Sequence, residues 1–291
     1  MNYLRRQGLA FSALALLLVM ASLLLPRLEP TSELLIFAAF VFVLGVPHGA
    51  LDPIFARHLF AVRGVVAWMV FVGAYVGLAL LMIGFWLLTP AVFLFFFLVA
   101  STLHFSGDLA PGTPWLTRLL YGGAVIVLPV LNHAPEMTRL FGFLVDVTAA
   151  DRFVSTLRFL AWPWAAGIFL SVLVICKRDW VTAVELVSYS LLVLVAPPLL
   201  SFTAFFCIMH SARHTLRTQR YASLSWRQLL LTSLAPTVAV GAAAFLTWFV
   251  VKDAPLDMRM VQFVVIGLAA LTAPHMLLVE RVRFSGWEKP Y

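Results

Sequence analysis

The sequence predicts an all-α protein, a polytopic bundle of transmembrane helices. Of its 291 residues, 63% are hydrophobic and only 11% are charged, and the mean hydropathy is +0.99. A soluble domain carries roughly 25% charged residues, which are needed to cover its core. Apolar side chains in this excess need an apolar solvent, and the lipid bilayer provides one. The composition therefore excludes a soluble globular protein.

Ten apolar runs reach, or nearly reach, the roughly 20 residues that a membrane-spanning helix needs. They cover residues 8–25, 34–46, 65–88, 91–105, 115–131, 157–176, 183–200, 202–216, 228–251 and 260–279. The first run follows Arg5 and Arg6 as in a secretory signal, but no small-residue cleavage site follows it, so we interpret it as a membrane helix. We predict about ten spans, with eight as the lower count, in a single integral-membrane domain over residues 1–291. The stretch 132–156 is predicted to be an amphipathic interfacial segment.

The positive charges indicate the orientation of the chain in the membrane. With ten spans, 14 of the 20 Lys and Arg residues fall on the side that holds both ends. Cytoplasmic loops carry most Lys and Arg residues, so both termini are predicted to be cytoplasmic, as in a multi-pass protein of the inner (plasma) membrane. The formal charge of +7 is scattered and forms no basic run with interleaved aromatic residues. We therefore expect no nucleic-acid partner.

The histidines carry the main functional signal. Five of the seven lie at or near the carboxyl ends of apolar runs: His48, His104, His210, His214 and His275. These ends belong to even-numbered spans, so the charge-based topology predicts all five imidazoles at a similar depth in the cytoplasmic leaflet. Ionisable groups at membrane depth are costly and generally face a bundle interior where they have partners or a function.

The spacing of these residues is typical of a metal site. His210 and His214 are four residues apart, so on a helix both can bind one metal ion. Asp52 and Asp108 each follow a histidine by four residues, and such carboxylates orient metal-bound imidazoles through the second ring N–H. Imidazole ligands suit iron, copper, zinc or nickel. Four neutral nitrogen ligands would leave a divalent iron with open positions for dioxygen.

The motifs together resemble the Brp/Blh family of bacterial and archaeal membrane carotenoid oxygenases. The resemblance rests on Gly-Val-Pro-His-Gly-Ala-Leu-Asp at residues 45–52, His104 with the following Gly-Asp pair, His-Ser-Ala-Arg-His at 210–214 and Pro-His-Met at 274–276. One departure is Ser106, which separates Phe105 from Gly107 and affects the match at Asp108.

The resemblance implies that the protein uses Fe²⁺ and dioxygen to cleave β-carotene at its central double bond, which yields two molecules of all-trans-retinal. It implies His48, His104, His210 and His214 as the iron ligands and His275 as a candidate additional ligand. It also implies hand-over of retinal to a microbial rhodopsin. The substrate polyene dissolves in the bilayer, and we expect aromatic side chains near the motifs to bind it. These are Phe97, Phe105, Phe202 and Phe206. The metal carries the chemistry, so no catalytic acid or base is expected.

Other functions fit part of the pattern. A membrane carotenoid-binding, lipid-binding or transport protein could use intramembrane His and Asp residues as an ion relay, although the sequence has no inverted repeat. A different membrane metal-dependent oxidoreductase is the other alternative. A b-type cytochrome would need only two axial histidines for haem, and a di-iron desaturase needs a larger set than the seven histidines present.

Overall fold

The computed structural model describes residues 3–110, 112–250 and 254–284, and every regular element in these ranges is helical. This confirms the all-α fold class. The helices are α1 (Tyr3–Leu24), α2 (Pro30–Phe40), α3 (Val46–Gly49), α4 (Asp52–Phe60), α5 (Gly64–Leu88), α6 (Pro90–Phe105), α7 (Trp115–Val127), α8 (Val130–Gly142), α9 (Val147–Ile175), α10 (Trp180–Val195), α11 (Pro198–Ala204), α12 (Ala212–Ala222), α13 (Trp226–Val250) and α14 (Leu256–Phe284). Two π-helical segments, Val41–Gly45 and Phe205–Ser211, join α2 to α3 and α11 to α12.

Within the described ranges, six helices are long and apolar enough to cross a membrane. They are Tyr3–Leu24, Pro30–Phe60, Gly64–Leu88, Val147–Ile175, Trp226–Phe249 and Leu256–Arg283. A seventh is present if α7 and α8, which meet at a bend of 60°, count as one broken span. The chain is thus a membrane protein with about six or seven candidate spans.

The predicted count of ten spans is not confirmed. Each of the ten apolar runs coincides with a helical stretch, but α6 and α10 have only 16 residues each. At 1.5 Å per residue such a helix is about 24 Å long, whereas the hydrocarbon core is about 30 Å thick. The stretch 132–156 is helical in α8 and the start of α9; its interfacial position stays a prediction. The two ends of the chain lie outside the described residues.

Contacts along the chain divide it into two compact units. The first consists of Met1–Phe37 and Leu94–Arg213, and the second of Ala38–Phe93 and His214–Tyr291. The division falls inside helices, because α2, α6 and the stretch from α11 to α12 each contain a boundary between the units. The single domain over residues 1–291 stays a prediction.

In the first unit, α1 packs against α10, and α9 packs against α7, α8 and α10. The α10 helix is capped by Asp179, whose carboxylate accepts hydrogen bonds from Thr182 and forms an exposed ion pair with Arg5 of α1 at 2.9 Å. Burial tends to raise the pKa of Asp179, but the hydrogen bonds from Thr182 and the charge of Arg5 outweigh it, and the pKa is lowered. This pair ties the start of α1 to the start of α10.

Helices α6 and α7 approach so closely at Gly122 that no side chain fits there. A Cβ atom at this position would overlap the backbone carbonyl oxygen of Thr102 and lie 2.6 Å from the backbone nitrogen of Ser106. Thr102 lies in α6, and Ser106 directly follows this helix. The two residues lie two positions before and two positions after His104. A substitution at Gly122 must therefore move backbone rather than a flexible side chain.

We expect Gly122→Ala to lower the free energy of unfolding by about 1–3 kcal/mol, the usual cost of overpacking a tight contact. Thermal unfolding of the purified protein in detergent measures the effect. The matched control is Gly84→Ala in α5, where an added Cβ meets nothing within 4 Å and alanine favours the helix. Equal melting temperatures for the two variants would contradict the close approach of α6 and α7.

In the second unit, α14 packs against α5 and α4, and α3 contacts both α13 and α14. A buried cluster forms where α4, α12 and α14 meet, made of Phe55, Tyr221, Leu278, Val279 and Val282. No side chain of α5 is fully buried, and apolar ends such as Val65 and Leu88 are 75% and 83% exposed. A 25-residue helix that is apolar all round and exposed in this way is typical of a lipid-facing span.

Candidate functional site

All five histidines singled out by the sequence are buried, with exposures between 2% and 6%. His104 and His210 belong to the first unit, and His48, His214 and His275 belong to the second. Each group is described by itself below. The remaining two histidines differ, because His58 and His133 are both partly exposed.

In the first unit, the rings of His104 and His210 lie with their centres 4.8 Å apart. His104 comes from the last turn of α6, and His210 comes from the π-helical segment Phe205–Ser211. A π-helical turn carries one residue more than an α-helical turn and is frequent at functional sites. The sequence indicates a helix here, but the widened turn leaves no signal in apolar periodicity.

Asp108 orients His210. The Nδ1 atom of His210 lies 3.0 Å from Oδ2 and 3.2 Å from Oδ1 of the Asp108 carboxylate. An ionised carboxylate can only accept hydrogen bonds, so Nδ1 must carry the proton and donate it. In the neutral ring the lone pair then lies on Nε2, which is the form that binds metals.

In the second unit, three imidazoles come together from three helices. The ring centres of His48 and His214 are 5.3 Å apart, those of His48 and His275 are 5.2 Å apart, and those of His214 and His275 are 5.1 Å apart. Two imidazoles that bind one metal through bonds of about 2 Å have ring centres roughly 5 Å apart. The spacing of this trio is compatible with rings that share one metal and equally with ordinary packing of aromatic rings.

Asp52 orients His275 as Asp108 orients His210. Nδ1 of His275 donates to Oδ1 of Asp52 at 2.7 Å, and the hydroxyl of Tyr75 donates to Oδ2 of the same carboxylate at 2.8 Å. Nδ1 of His48 donates to the carbonyl oxygen of Gly45. Because carboxylate and carbonyl oxygens only accept, these rings also present their lone pairs on Nε2.

The two aspartates therefore contact histidines that lie far away in the sequence, and not only residues of their own segment. The physical reason is that both leave the preceding helix: α3 ends at Gly49 before Asp52 begins α4, and α6 ends at Phe105 before the turn that contains Asp108. Pro53 and Gly107 mark these breaks in the sequence.

The buried side chains are imidazoles, which several metals accept as ligands. Their arrangement does not form a complete metal site. Among the described residues, no group of three or more His, Cys, Asp or Glu side chains has the geometry to hold a metal ion. The observations that favour a metal are the burial of the rings and the hydrogen bonds at Nδ1. Iron, copper, zinc and nickel all accept such ligands.

Aromatic rings pack beside His210 in the first unit. Phe206 stacks on His210 with ring centres 5.7 Å apart, Phe202 stacks on Phe206 at 5.4 Å, and the two interplanar angles are 19° and 13°. Phe105 meets the edge of His210 at 4.9 Å. Phe97, the fourth predicted substrate contact, is a partly buried residue of α6. Flat apolar surface beside an imidazole suits a conjugated hydrocarbon.

Four further polar residues belong to these surroundings and were missed from the sequence: Gln7, Tyr75, Glu185 and Arg213. Glu185 and Arg213 are buried and paired, with Nη2 of Arg213 3.0 Å from Oε1 of Glu185. The sequence carried one signal for this pair, because Glu185 is a lone acid inside the apolar run 183–200 and such residues need a partner.

Comparisons with known proteins identify the family of this chain. A family model described as Beta-carotene 15,15'-dioxygenase matches residues 39–282, which is most of the chain and contains all five buried histidines. The chain belongs to this family. It is therefore an enzyme of the dioxygenase class, as the resemblance of the motifs implied.

Two relatives carry the family name. A Beta-carotene 15,15'-dioxygenase from uncultured marine bacterium 66A03 is 30% identical over 265 residues, which cover 83% of this chain and 91% of the relative. A Probable beta-carotene 15,15'-dioxygenase Blh from Halobacterium salinarum is 28% identical over 300 residues, which cover 87% of this chain and 85% of the relative. No solved structure matches the chain. Helix α1 lies before the part that the family model covers.

Proposed function

We propose that this protein cleaves β-carotene with dioxygen at the central double bond, releases two molecules of all-trans-retinal, and depends on iron(II). The observation that carries the proposal is the set of buried imidazoles whose Nδ1 atoms donate to Asp52, Asp108 and Gly45. The names of the two relatives support the substrate and the reaction. The reaction balances without a further reductant, because the C=C bond breaks and each half receives one oxygen atom as a carbonyl.

The proposed iron ligands are His48, His104, His210 and His214, with His275 as a candidate fifth. When bound, iron(II) would supply the electrons that activate dioxygen, which does not react with a polyene unaided. The proposed ligands are all imidazoles and include no thiolate, because Cys176 is exposed and Cys207 stands alone in its buried segment. This set favours iron(II) over copper(I).

The chain's own residues hold protons, orient rings and exclude water. Asp108 keeps the proton of His210 on Nδ1, and Asp52 keeps that of His275 on Nδ1, so that both rings present Nε2. The rings of Phe105, Phe202 and Phe206 offer an apolar wall that would align a polyene beside His210 and keep the site dry. No side chain needs to act as a general acid or base.

The charge distribution supports an orientation of the chain in the membrane, and the substrate supports a membrane location in the cell. We propose that both termini face the cytoplasm of a cell with a single or inner membrane, where β-carotene is dissolved in lipid and retinal can pass to a microbial rhodopsin. Termini on one side require an even number of crossings, which six or ten spans provide and seven do not. The predominance of Lys and Arg on that side supports this orientation.

Expression in bacteria that accumulate β-carotene tests the proposed reaction. We expect the cells to lose their orange colour and their extracts to contain two retinal molecules for each β-carotene consumed, as measured by chromatography. Cells with the empty vector are the control. Unchanged colour with protein present in the membrane would overturn the proposal and favour a carotenoid-binding or transport protein.

A further inference from the structure

The first helix reaches the π-helical segment that carries His210. In the first unit, Nε2 of Gln7 in α1 donates to the carbonyl oxygens of Ile208 and Met209 at 2.9 and 3.3 Å. In a π-helix the i→i+5 pattern shifts the backbone hydrogen bonds and leaves carbonyls at its junction with an α-helix in need of donors. Gln7 adds a side-chain donor at the two residues directly before His210; the carbonyl oxygen of Met209 also accepts from the backbone N–H of Ala212.

The same side chain meets a buried arginine. Oε1 of Gln7 accepts from Nε of Arg213 at 2.7 Å, and the Nη atoms of Arg213 donate to both carboxylate oxygens of Glu185 at 3.0 and 3.1 Å. Nη1 also donates to the backbone carbonyl oxygen of Asp108 at 2.9 Å. Arg213 is only 2% exposed, and its planar fork is suited to such simultaneous contacts.

The packing around the pair shows that α1 is fitted to it. A Cβ atom at Gly8 would overlap the carboxylate of Glu185, so glycine at this position lets α10 bring its buried acid against α1. Glu185 is 4% exposed inside an otherwise apolar helix. Desolvating two charges costs about as much as their attraction returns, so a buried ion pair is weak evidence for stability and better evidence for a positional role.

Two connections run from these residues to the imidazole of His210. One passes through the backbone of Asp108, which accepts from Arg213 while its carboxylate holds Nδ1 of His210. The other passes through Gln7 to the carbonyls of the π-helical turn. The first connection ends on the ring of His210 and the second on the backbone of the turn that carries it, and neither uses a residue that would itself touch iron or substrate.

We propose that Gln7, Glu185 and Arg213 are positioning residues that fix the π-helical turn Phe205–Ser211 and the ring of His210. Helix α1 therefore supports the proposed metal site. The inference rests on the proposed function only in taking His210 as an iron ligand. It assigns a role to a helix that lies before the residues matched by the family model.

The test compares Gln7→Met with Arg5→Met. Methionine at position 7 keeps an unbranched side chain but removes the hydrogen bonds to Ile208, Met209 and Arg213. The control removes the exposed ion pair of the same helix with Asp179 and leaves the π-helical turn untouched. Hydrogen–deuterium exchange of the metal-free full-length protein is read for the peptide that covers Phe205–Arg213, and the rate of iron loss is read for the loaded protein.

We expect Gln7→Met to exchange several-fold faster within Phe205–Arg213 and to lose iron about tenfold faster or more, as is usual when support of a ligand is removed. Arg5→Met should match the wild type in both readouts. Arg213→Lys is the second variant, because lysine keeps a charge for Glu185 but cannot also reach Gln7 and Asp108. It should behave like Gln7→Met.

Unchanged exchange in the variants at positions 7 and 213 would overturn the inference, as would faster exchange throughout the helices of the first unit, which would indicate general destabilisation. If the wild-type protein binds no iron, the proposed metal dependence fails. The exchange measurement uses metal-free protein, so it still decides whether the three residues fix the turn.

Discussion

We expect replacement of His210 by alanine to abolish retinal formation and to leave the purified protein with less than about a tenth of the wild-type iron. The reason is that His210 is buried with Nδ1 held by Asp108, so its removal deletes a ligand and leaves a buried carboxylate without that donor. Loss of a supporting contact alone costs about tenfold to a hundredfold in metal affinity, and loss of the ligand costs more. Iron content by mass spectrometry and retinal by chromatography measure the effect.

The matched control for this variant is His133→Ala. His133 is a partly buried residue at a kink in α8, with φ of −128° inside an otherwise helical stretch. We expect this variant to keep wild-type iron and activity, and both variants to insert in the membrane at similar levels. Full iron in His210→Ala, or equal losses in the two variants, would contradict the assignment of His210 as a ligand.

Replacing Asp52 by asparagine is expected to lower iron affinity about tenfold to a hundredfold. The carboxylate accepts from His275 and from Tyr75 at once, whereas an amide offers one oxygen and directs an NH₂ group toward the second donor. Either orientation of the amide removes the negative charge that favours the Nδ1–H tautomer of His275, and the orientation that turns the NH₂ group toward Nδ1 also removes that hydrogen bond. Iron titration of the purified protein measures the affinity.

Two controls separate the metal effect from a loss of stability. Asp151→Asn changes an exposed carboxylate of α9 and should leave iron affinity unchanged. Tyr75→Phe removes only one donor to Asp52 and should have a smaller effect than Asp52→Asn, because a neutral hydrogen bond contributes about 1 kcal/mol. Wild-type iron affinity in Asp52→Asn would show that the contact of Asp52 with His275 does not support metal binding.

The sequence predicted the helical character of the chain well, since this depends on local composition. Each of the ten apolar runs overlaps at least one helix of the described residues, and the five histidines near their ends are buried. The number of spans was less predictable, because hydropathy marks where a helix lies but not whether it is long enough or straight enough to cross. Helices α6 and α10, and the bend between α7 and α8, are examples.

The contacts between helices could not be predicted from the sequence. Asp52 and Asp108 were predicted to act near imidazoles, but their partners, His275 and His210, are 223 and 102 residues away. Residue spacing cannot select such partners, because the turns at Pro53 and Gly107 redirect the side chains. Gln7 likewise has no feature in the sequence that points to Arg213, and only the packing of α1 against α10 brings them together.

The π-helical turn Phe205–Ser211 affects the stacking of the rings of Phe202, Phe206 and His210. In a regular α-helix each step of four residues rotates the side-chain direction by about 40°, so three rings at successive steps fan out by about 80°. A turn that carries one extra residue rotates less per residue and cancels part of this drift. The rings of Phe202, Phe206 and His210 are stacked one on the next, with successive planes only 13° and 19° apart. We expect deletion of a single residue from this turn to return the segment to α-helical rotation. The three rings would then no longer stack, although all three would still be present.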